Sequence, residues 1–393
     1  MLYNNILFYN KIFYTDKKLI EQSFTHSRLK EDVYKFLPRD IDSIKISNNY
    51  ITYEKIIILL DHFHWNFAHN LWEHIYSSFY SLFYYLNDKC DISKVNFQFV
   101  VIKSPNHIYH NNKHIDMIEK ISGNKLITIE QLSNVCKNIP MIIPNLLLIS
   151  NVGIGHVHKN NMTVNMGINI NNLDPIEIFV NRIYNRYNIS RNSLIDNTDK
   201  AKCNNIIYIT NKRPYKGMRE LFDKMNKKYC NKFNFKIIDY SKYNFEEQLK
   251  ILNTTSICIV GVGTARFNTP FLPNGAIEIQ TFHPNIYRKN FIEYFDYHGG
   301  TISKFITVKN IPYYTEEEVI NNTCSHLLEK YIKESINEIP CKIPVNLENN
   351  IPKEILDLRN HKNYYNLFDE WRDHGGPNRC PSNLIEHFMD LLN

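Results

Sequence analysis

Ile206-Ile207-Tyr208-Ile209-Thr210, then the loop Asn211-Lys212-Arg213-Pro214-Tyr215-Lys216-Gly217, then Met218 to Tyr229, is the stretch that decides the fold. The first five residues form an unbroken apolar run of strand length, and Met218 to Tyr229 reads as a helix. Outward from there the pattern repeats. Phe235 to Tyr240 is a strand, and Phe245 to Leu252 a helix opened by Asn244 with Glu247 three residues on, the spacing of a capping box. Ser256 to Val260 is a strand, followed by a glycine-containing turn, a short helix and the strand Ala276 to Ile279. Strands alternating with helices at this spacing predict a parallel sheet with helices on both faces.

Upstream, Ile56 to Leu60 reads as a buried strand. Asn66 to Leu86 carries Phe67, Leu71, Ile75, Phe79 and Leu82 at helical spacing. Phe97 to Ile102 and Met141 to Ser150 are further strands. Asp174 to Tyr187 is a helix with Pro175 in its first turn, where a missing N–H costs nothing. Ser190 to Asn205 is polar and aperiodic and reads as a linker. Residues 1 to about 50 read as an N-terminal cap with little signal. The expected division is 1–190, 200–310, and a polar helical extension over 311–393 that packs back on the first domain. A length of 393 residues fits two or three domains at roughly 150 residues each.

The apolar fraction is 43% and the charged fraction 22%, enough for a substantial core. A net charge of +6 suits anionic small molecules. It lacks the dense basic face of a nucleic-acid binder. Eight cysteines without CxxC spacing read as reduced thiols in the cytoplasm. No run reaches the roughly 20 apolar residues of a membrane span, and the N-terminus lacks the layout of a signal peptide. Abundant Asn, Ile, Lys and Tyr point to an AT-rich genome, such as that of a large DNA virus or a unicellular organism; for a viral protein the compartment is the host cytoplasm.

Three segments can carry chemistry. In Val260-Gly261-Val262-Gly263-Thr264-Ala265-Arg266-Phe267-Asn268, a strand enters small residues and then a helix start. This lets backbone N–H groups approach a phosphate, although a tight turn without ligand has the same spacing. Phe271-Leu272-Pro273-Asn274-Gly275 then turns into a strand holding Glu278. At that strand's C-terminal end, the carboxylate would accept hydrogen bonds from ribose hydroxyls. Second, Lys212, Arg213 and Arg219 follow a strand end, where they form either a diphosphate clamp or a solvated basic loop. Third, Asp61 to His74 holds four histidines. His69 and His74 are five apart, unlike the i, i+4 pair of a helical zinc site. His69 and Glu73 are four apart and share a face, as a general base for an acceptor hydroxyl or as a structural pair. Asp61, His64 and Asn66 would lie at the same cleft.

These residues resemble glycosyltransferase family 61. The family signature, roughly GVHGAGLTN followed by FLPPG and a strand with Glu, is matched at Gly263, Asn268, Phe271, Leu272, Pro273, Gly275 and Glu278. Val262 replaces the family histidine, Thr264 and Ala265 occupy small positions, and Arg266 replaces an apolar residue. Asn66 to Leu82 is similar to the first-domain helix of the O-mannose N-acetylglucosaminyltransferase branch. The wider group includes EGF-domain O-GlcNAc transferases and plant xylosyltransferases. The resemblance implies an α/β fold of GT-B type, with two Rossmann-like domains facing across a cleft. It implies inverting transfer from a UDP-linked GlcNAc or xylose donor to a glycan or glycoprotein hydroxyl, with no obligatory metal. Glu73 or His69 would serve as base. Gly261, Gly263, Thr264, Arg266 and Asn268 would hold the donor with Lys212, Arg213 and Arg219. Competing readings are a non-catalytic sugar-binding protein on this fold, an NAD-type oxidoreductase, disfavoured because Arg266 fills the third glycine position, and a metal hydrolase using the histidines.

Overall fold

The alternation read from the sequence appears in the computed structural model as two parallel-rich α/β sheets. The structure describes residues 2–15, 38–43, 49–60, 71, 75–76, 78–79, 82, 91, 93–102, 112–136, 139–148, 174–195, 202–210, 216–261, 264–281, 307–311 and 327–340. Two units divide the chain, one comprising residues 1–169 and 181–188, the other 170–180 and 189–393.

In the first unit, the strands are β1 (Leu2–Tyr9), β2 (Ile12–Thr15), β3 (Arg39–Asp40), β4 (Ile51–Thr52), β5 (Ile56–Leu60), β6 (Phe97–Val101), β7 (Ile127–Thr128) and β8 (Met141–Leu148). They run in the order β3-β2-β1-β8-β5-β6-β7, with β4 also on β8. Strands β8, β5, β6 and β7 are mutually parallel. Counted from β5 their spatial order is 3-2-1-4, the start of a doubly wound sheet whose topological switch lies between β5 and β8. Helices α1 (Asn112–Ser122) and α2 (Ile129–Cys136) serve the β6–β7–β8 connections. Leu71, Ile75, Phe79 and Leu82, four of the five apolar positions of the expected helix, are helical and buried; Phe67 lies outside the described residues.

The N-terminal stretch holds more structure than its sequence suggested. Asn10 and Lys11 both have positive φ, which makes a two-residue type I′ turn. It pairs Tyr9 with Ile12 and sets β1 antiparallel on β8. Ile6, Phe8 and Phe13 join the core with Ile57, Leu59, Val100 and Ile143.

Arg182, on α3 (Asp174–Arg186), is buried in the first unit. It donates to the carbonyls of Ser93 (2.6 Å), Val95 (3.0 Å) and Ile121, and lies over the Phe97 ring. Ile121 is in the last turn of α1, so the guanidinium caps carbonyls that the helix leaves open. Burial, with Arg186 nearby, pulls its pKa down to about 10, so it keeps its charge at neutral pH.

In the second unit, β9 (Asn205–Thr210), β10 (Asn234–Asp239), β11 (Thr255–Gly261), β12 (Ile277–Thr281) and β13 (Thr307–Ile311) run in the order β10-β9-β11-β12-β13, all parallel. That is 2-1-3-4-5, the flavodoxin-like winding. The chain crosses one way from β9 through α4 (Met218–Tyr229) to β10, then back through α5 (Phe245–Asn253) to β11. Right-handed crossovers therefore put α4 and α5 on opposite faces. Ile206, Tyr208, Ile257, Ile259, Ile277 and Ile279 pack against Met218, Phe222 and Met225 of α4. Strand alternation turns Ile207, Ile209, Cys258 and Val260 to the other face.

Leu328 and Ile332 of α6 (Leu328–Glu338) belong to this second core. The sequence reading sent the 311–393 extension back to the first domain. Of residues 312–393 the structure describes 327–340, and this helix lies on the second sheet, its apolar stripe covering the face beside α4. The expected linker is also ordered over Ser190–Ile195. Ser193 bridges to Asn274, Leu194 N–H donates to the Asn274 carbonyl, and Asn192 donates from its backbone N–H to Asn253 Oδ1 and from its side-chain amide to the Asn253 carbonyl. Arg191 binds Glu177 at 2.6 Å and donates to the Leu272 carbonyl.

Candidate functional site

Sheet order places the site. In a wound sheet, ligands bind beyond the carboxyl ends of the strands where the winding reverses. In the second unit that point lies between β9 and β11. Ile209 pairs with Val260, so Thr210 and Gly261, the last residues of these strands, end side by side. The basic loop leaves from one and the glycine turn from the other.

The N-cap of α4 is Gly217, with φ of 80°, which has no side chain to cap the helix's first N–H groups. Arg219 sits exposed in that first turn. A cation at a helix N-terminus opposes the helix dipole; Glu220 beside it supplies one negative charge. A helix start with a glycine N-cap and an arginine in its first turn has the chemistry to take an anion.

After Gly261 the chain enters a 3-10 helix, Thr264–Phe271. Thr264 and Arg266 lie in its backbone. Asn268 is buried, and its amide donates to Gln248 Oε1 at 2.8 Å. The FLPNG segment then makes a tight turn. Ala276 N–H donates to the Pro273 carbonyl at 3.1 Å and Gly275 has φ of 90°, which with negative φ at Asn274 is type II geometry. β12 starts two residues later.

The strand runs on to Thr281, past the expected end at Ile279, and this bears on one expectation. Glu278 is the second residue of β12, fully buried, in register with Cys258. The C-terminal end of β12 is Thr281, level with Gly261; Glu278 lies three residues below it, about 10 Å at strand rise. Ribose contact required a place at that end. The carboxylate instead acts inside the core, where burial and then the Glu278 charge push the Cys258 thiol well above its ordinary pKa.

The structure brings Arg219, Gly261 and the Thr264–Asn268 segment to the carboxyl side of one sheet. Lys212, Arg213 and Gly263 lie outside the described residues, as do Asp61, His64, Asn66, His69 and Glu73. Asp61 follows Leu60, the end of β5, at the switch point of the first sheet. Sequence reasoning passed over Gln248, whose only sequence signal is its place on the same helical face as Phe245.

Among the described residues, no three His, Cys, Asp or Glu side chains gather as metal ligands, and no helix is long and apolar enough to cross a membrane. No curated protein matches the chain. A family model described as Glycosyltransferase 61 matches residues 62–279, from the loop after β5 into β12 and over more than half of the sequence. With strands β6 to β11 and the FLPNG turn inside that match, the chain belongs to glycosyltransferase family 61 and is a glycosyltransferase.

Proposed function

We propose that the second sheet holds a nucleotide-sugar donor, UDP-linked and of GlcNAc or xylose type, and that the sugar passes with inversion to a hydroxyl of a glycan or glycoprotein. The two units are then the two halves of a GT-B transferase in the cytoplasm. The observation that supports this reading is the switch point between β9 and β11, where Thr210 and Gly261 end side by side and α4 starts at a glycine with Arg219 in its first turn. Lys212, Arg213 and Arg219 neutralise the departing diphosphate without a divalent ion. Gly261, Gly263, Thr264, Arg266 and Asn268 form the turn beside it. Glu73 or His69, following the switch point of the first sheet, takes the acceptor proton.

Calorimetric titration with UDP and UDP-sugars tests the donor site. Arg213→Ala and Arg219→Ala each weaken binding by about tenfold or more, the usual effect of losing a charge-assisted hydrogen bond. Glu73→Ala and His69→Ala leave donor binding intact, and the variant lacking the base loses transfer. Wild-type protein that binds none of these nucleotides, or arginine variants that bind as well as wild type, would overturn the proposal. Transfer that persists in excess EDTA supports the metal-free mechanism; its loss removes that element.

A further inference from the structure

α5 and the 3-10 helix meet along two rungs. Phe245 and Phe271 pack edge to face at 5.7 Å. Three residues along each element, Gln248 meets Asn268. Gln248 is 9% exposed and Asn268 4%, so the polar rung is held away from water and its bonding is fixed by donor and acceptor count.

The count runs in one direction. Tyr240 and Tyr243 present backbone carbonyls, which only accept, and Gln248 Nε2 donates to both, at 3.2 and 3.1 Å. Both N–H groups of the amide are then used, and Gln248 Oε1 faces Asn268. It can only accept, so Asn268 must offer its NH2 group, as it does. Two main-chain carbonyls thus determine the orientation of Asn268 through a single intervening side chain.

The ends of this relay lie on either side of the site. The Tyr240–Tyr243 turn follows Asp239, the end of β10 and the partner of Thr210. Asn268 sits four residues into the helix that starts immediately after Gly263, about 8 Å at 3-10 rise. Strands β10 and β11 flank β9. The relay therefore ties the chain after β10 to the chain after β11, across the end of β9.

We infer that Gln248 is a positioning residue for donor binding: through Asn268 it holds the 3-10 helix that follows β11 in place against the turn after β10, beside the end of β9 where the donor's phosphates would lie. The inference rests on the donor-site reading above and goes beyond it by assigning control of donor affinity to a buried amide away from the basic loop.

The test uses the full-length protein, UDP as the binding probe and the preferred UDP-sugar for kinetics. In Gln248→Glu a carboxylate faces two carbonyl oxygens at neutral pH, and the relay breaks. On protonation an O–H donor returns. The expected result at pH 7.5 is UDP binding weaker by about tenfold, donor KM raised by the same factor and kcat within about twofold, since the contact is lost equally from ground and transition states. At pH 5.5 the deficit relative to wild type falls below about threefold. Gln248→Met, uncharged, raises KM similarly without recovery at low pH. A purely structural role lowers the melting temperature of both variants and leaves UDP affinity and KM at wild-type values; that result overturns the inference, as does failure of both variants to fold. If wild type binds no UDP, the donor-site reading itself falls. If wild type binds and Arg213→Ala does not, while both Gln248 variants bind normally, only the role of Gln248 falls.

Discussion

Replacing Gly275 by alanine should unsettle the turn on which the second sheet's fourth strand begins. Its φ of 90° is a conformation an L-residue adopts at a cost of about 1–2 kcal/mol. The added methyl also has little room. It would lie 3.0 Å from Ile195 Cγ1, 3.2 Å from Pro340 Cβ and 3.3 Å from Leu194 Cβ. Crowding of that kind in a packed interior costs about 1–3 kcal/mol. The lower entropy of the unfolded alanine chain returns about 0.4–1 kcal/mol, leaving a net loss of about 2–4 kcal/mol. Urea unfolding followed by circular dichroism measures it. Hydrogen exchange of Leu194 N–H, bonded to the Asn274 carbonyl, localises it. A loss below about 1 kcal/mol with unchanged exchange at Leu194 would show that the turn relaxes freely and that the steric argument fails.

Arg182→Met should destabilise the first unit by about 2–4 kcal/mol, because it strands the buried Ile121 carbonyl and removes the charged bonds to the Ser93 and Val95 carbonyls; a midpoint shift worth less than 1 kcal/mol in denaturant would count against that role. Thiol labelling of the native protein at pH 8 should modify Cys230, which is exposed, well before Cys136, Cys203 or Cys258, which are buried, and Cys258 should react only on unfolding. Comparable native rates at Cys230 and Cys258, read by peptide mass spectrometry, would contradict the packing of β11 against β12. Hydrogen bonds from Lys224 and Lys333 hold the Glu329 carboxyl down to about 2. A lowered folded pKa gives stability that is present above the ordinary value of 4.5 and is lost as pH falls toward 2. Glu329→Gln should therefore lower the thermal midpoint slightly at pH 6 and converge with wild type in acid. Added salt should narrow the difference, and an unchanged difference at pH 3 would refute the assignment.

Much of the second sheet was legible in the sequence because its signals are local. Apolar runs of strand length, the Asn244 to Glu247 box and the Pro273-Asn274-Gly275 turn each act within a few residues, and each forms as read. What escaped depends on partners far along the chain. Leu2 to Tyr9 is a strand because Met141 to Leu147 offers it an edge, and Asn10-Lys11 lacks the glycine that usually marks such a turn. Ser190 to Ile195 is polar, so it read as a linker, yet its polarity is spent on Asn253 and Asn274. Glu278 read as a ligand group because a carboxylate in an apolar run is unusual. Its depth is set by where β12 ends, at Thr281 rather than Ile279, and pattern alone does not report that. The basic residues after β9 were legible as a cluster, but that β9 and β11 are neighbours whose last residues end side by side follows from strand order.

Strand β1, lying antiparallel on β8, bears on how the protein can be shortened. The family match starts at residue 62, which invites trimming everything before it. A polypeptide trimmed there would lose β5 from the middle of the first sheet and leave both flanks of β8 with bare main-chain groups beside the apolar sockets vacated by Ile6 and Phe8. Such an edge recruits strands from neighbouring molecules, so the shortened protein should precipitate or exchange strands. The limits of family likeness are not the limits of the folding unit.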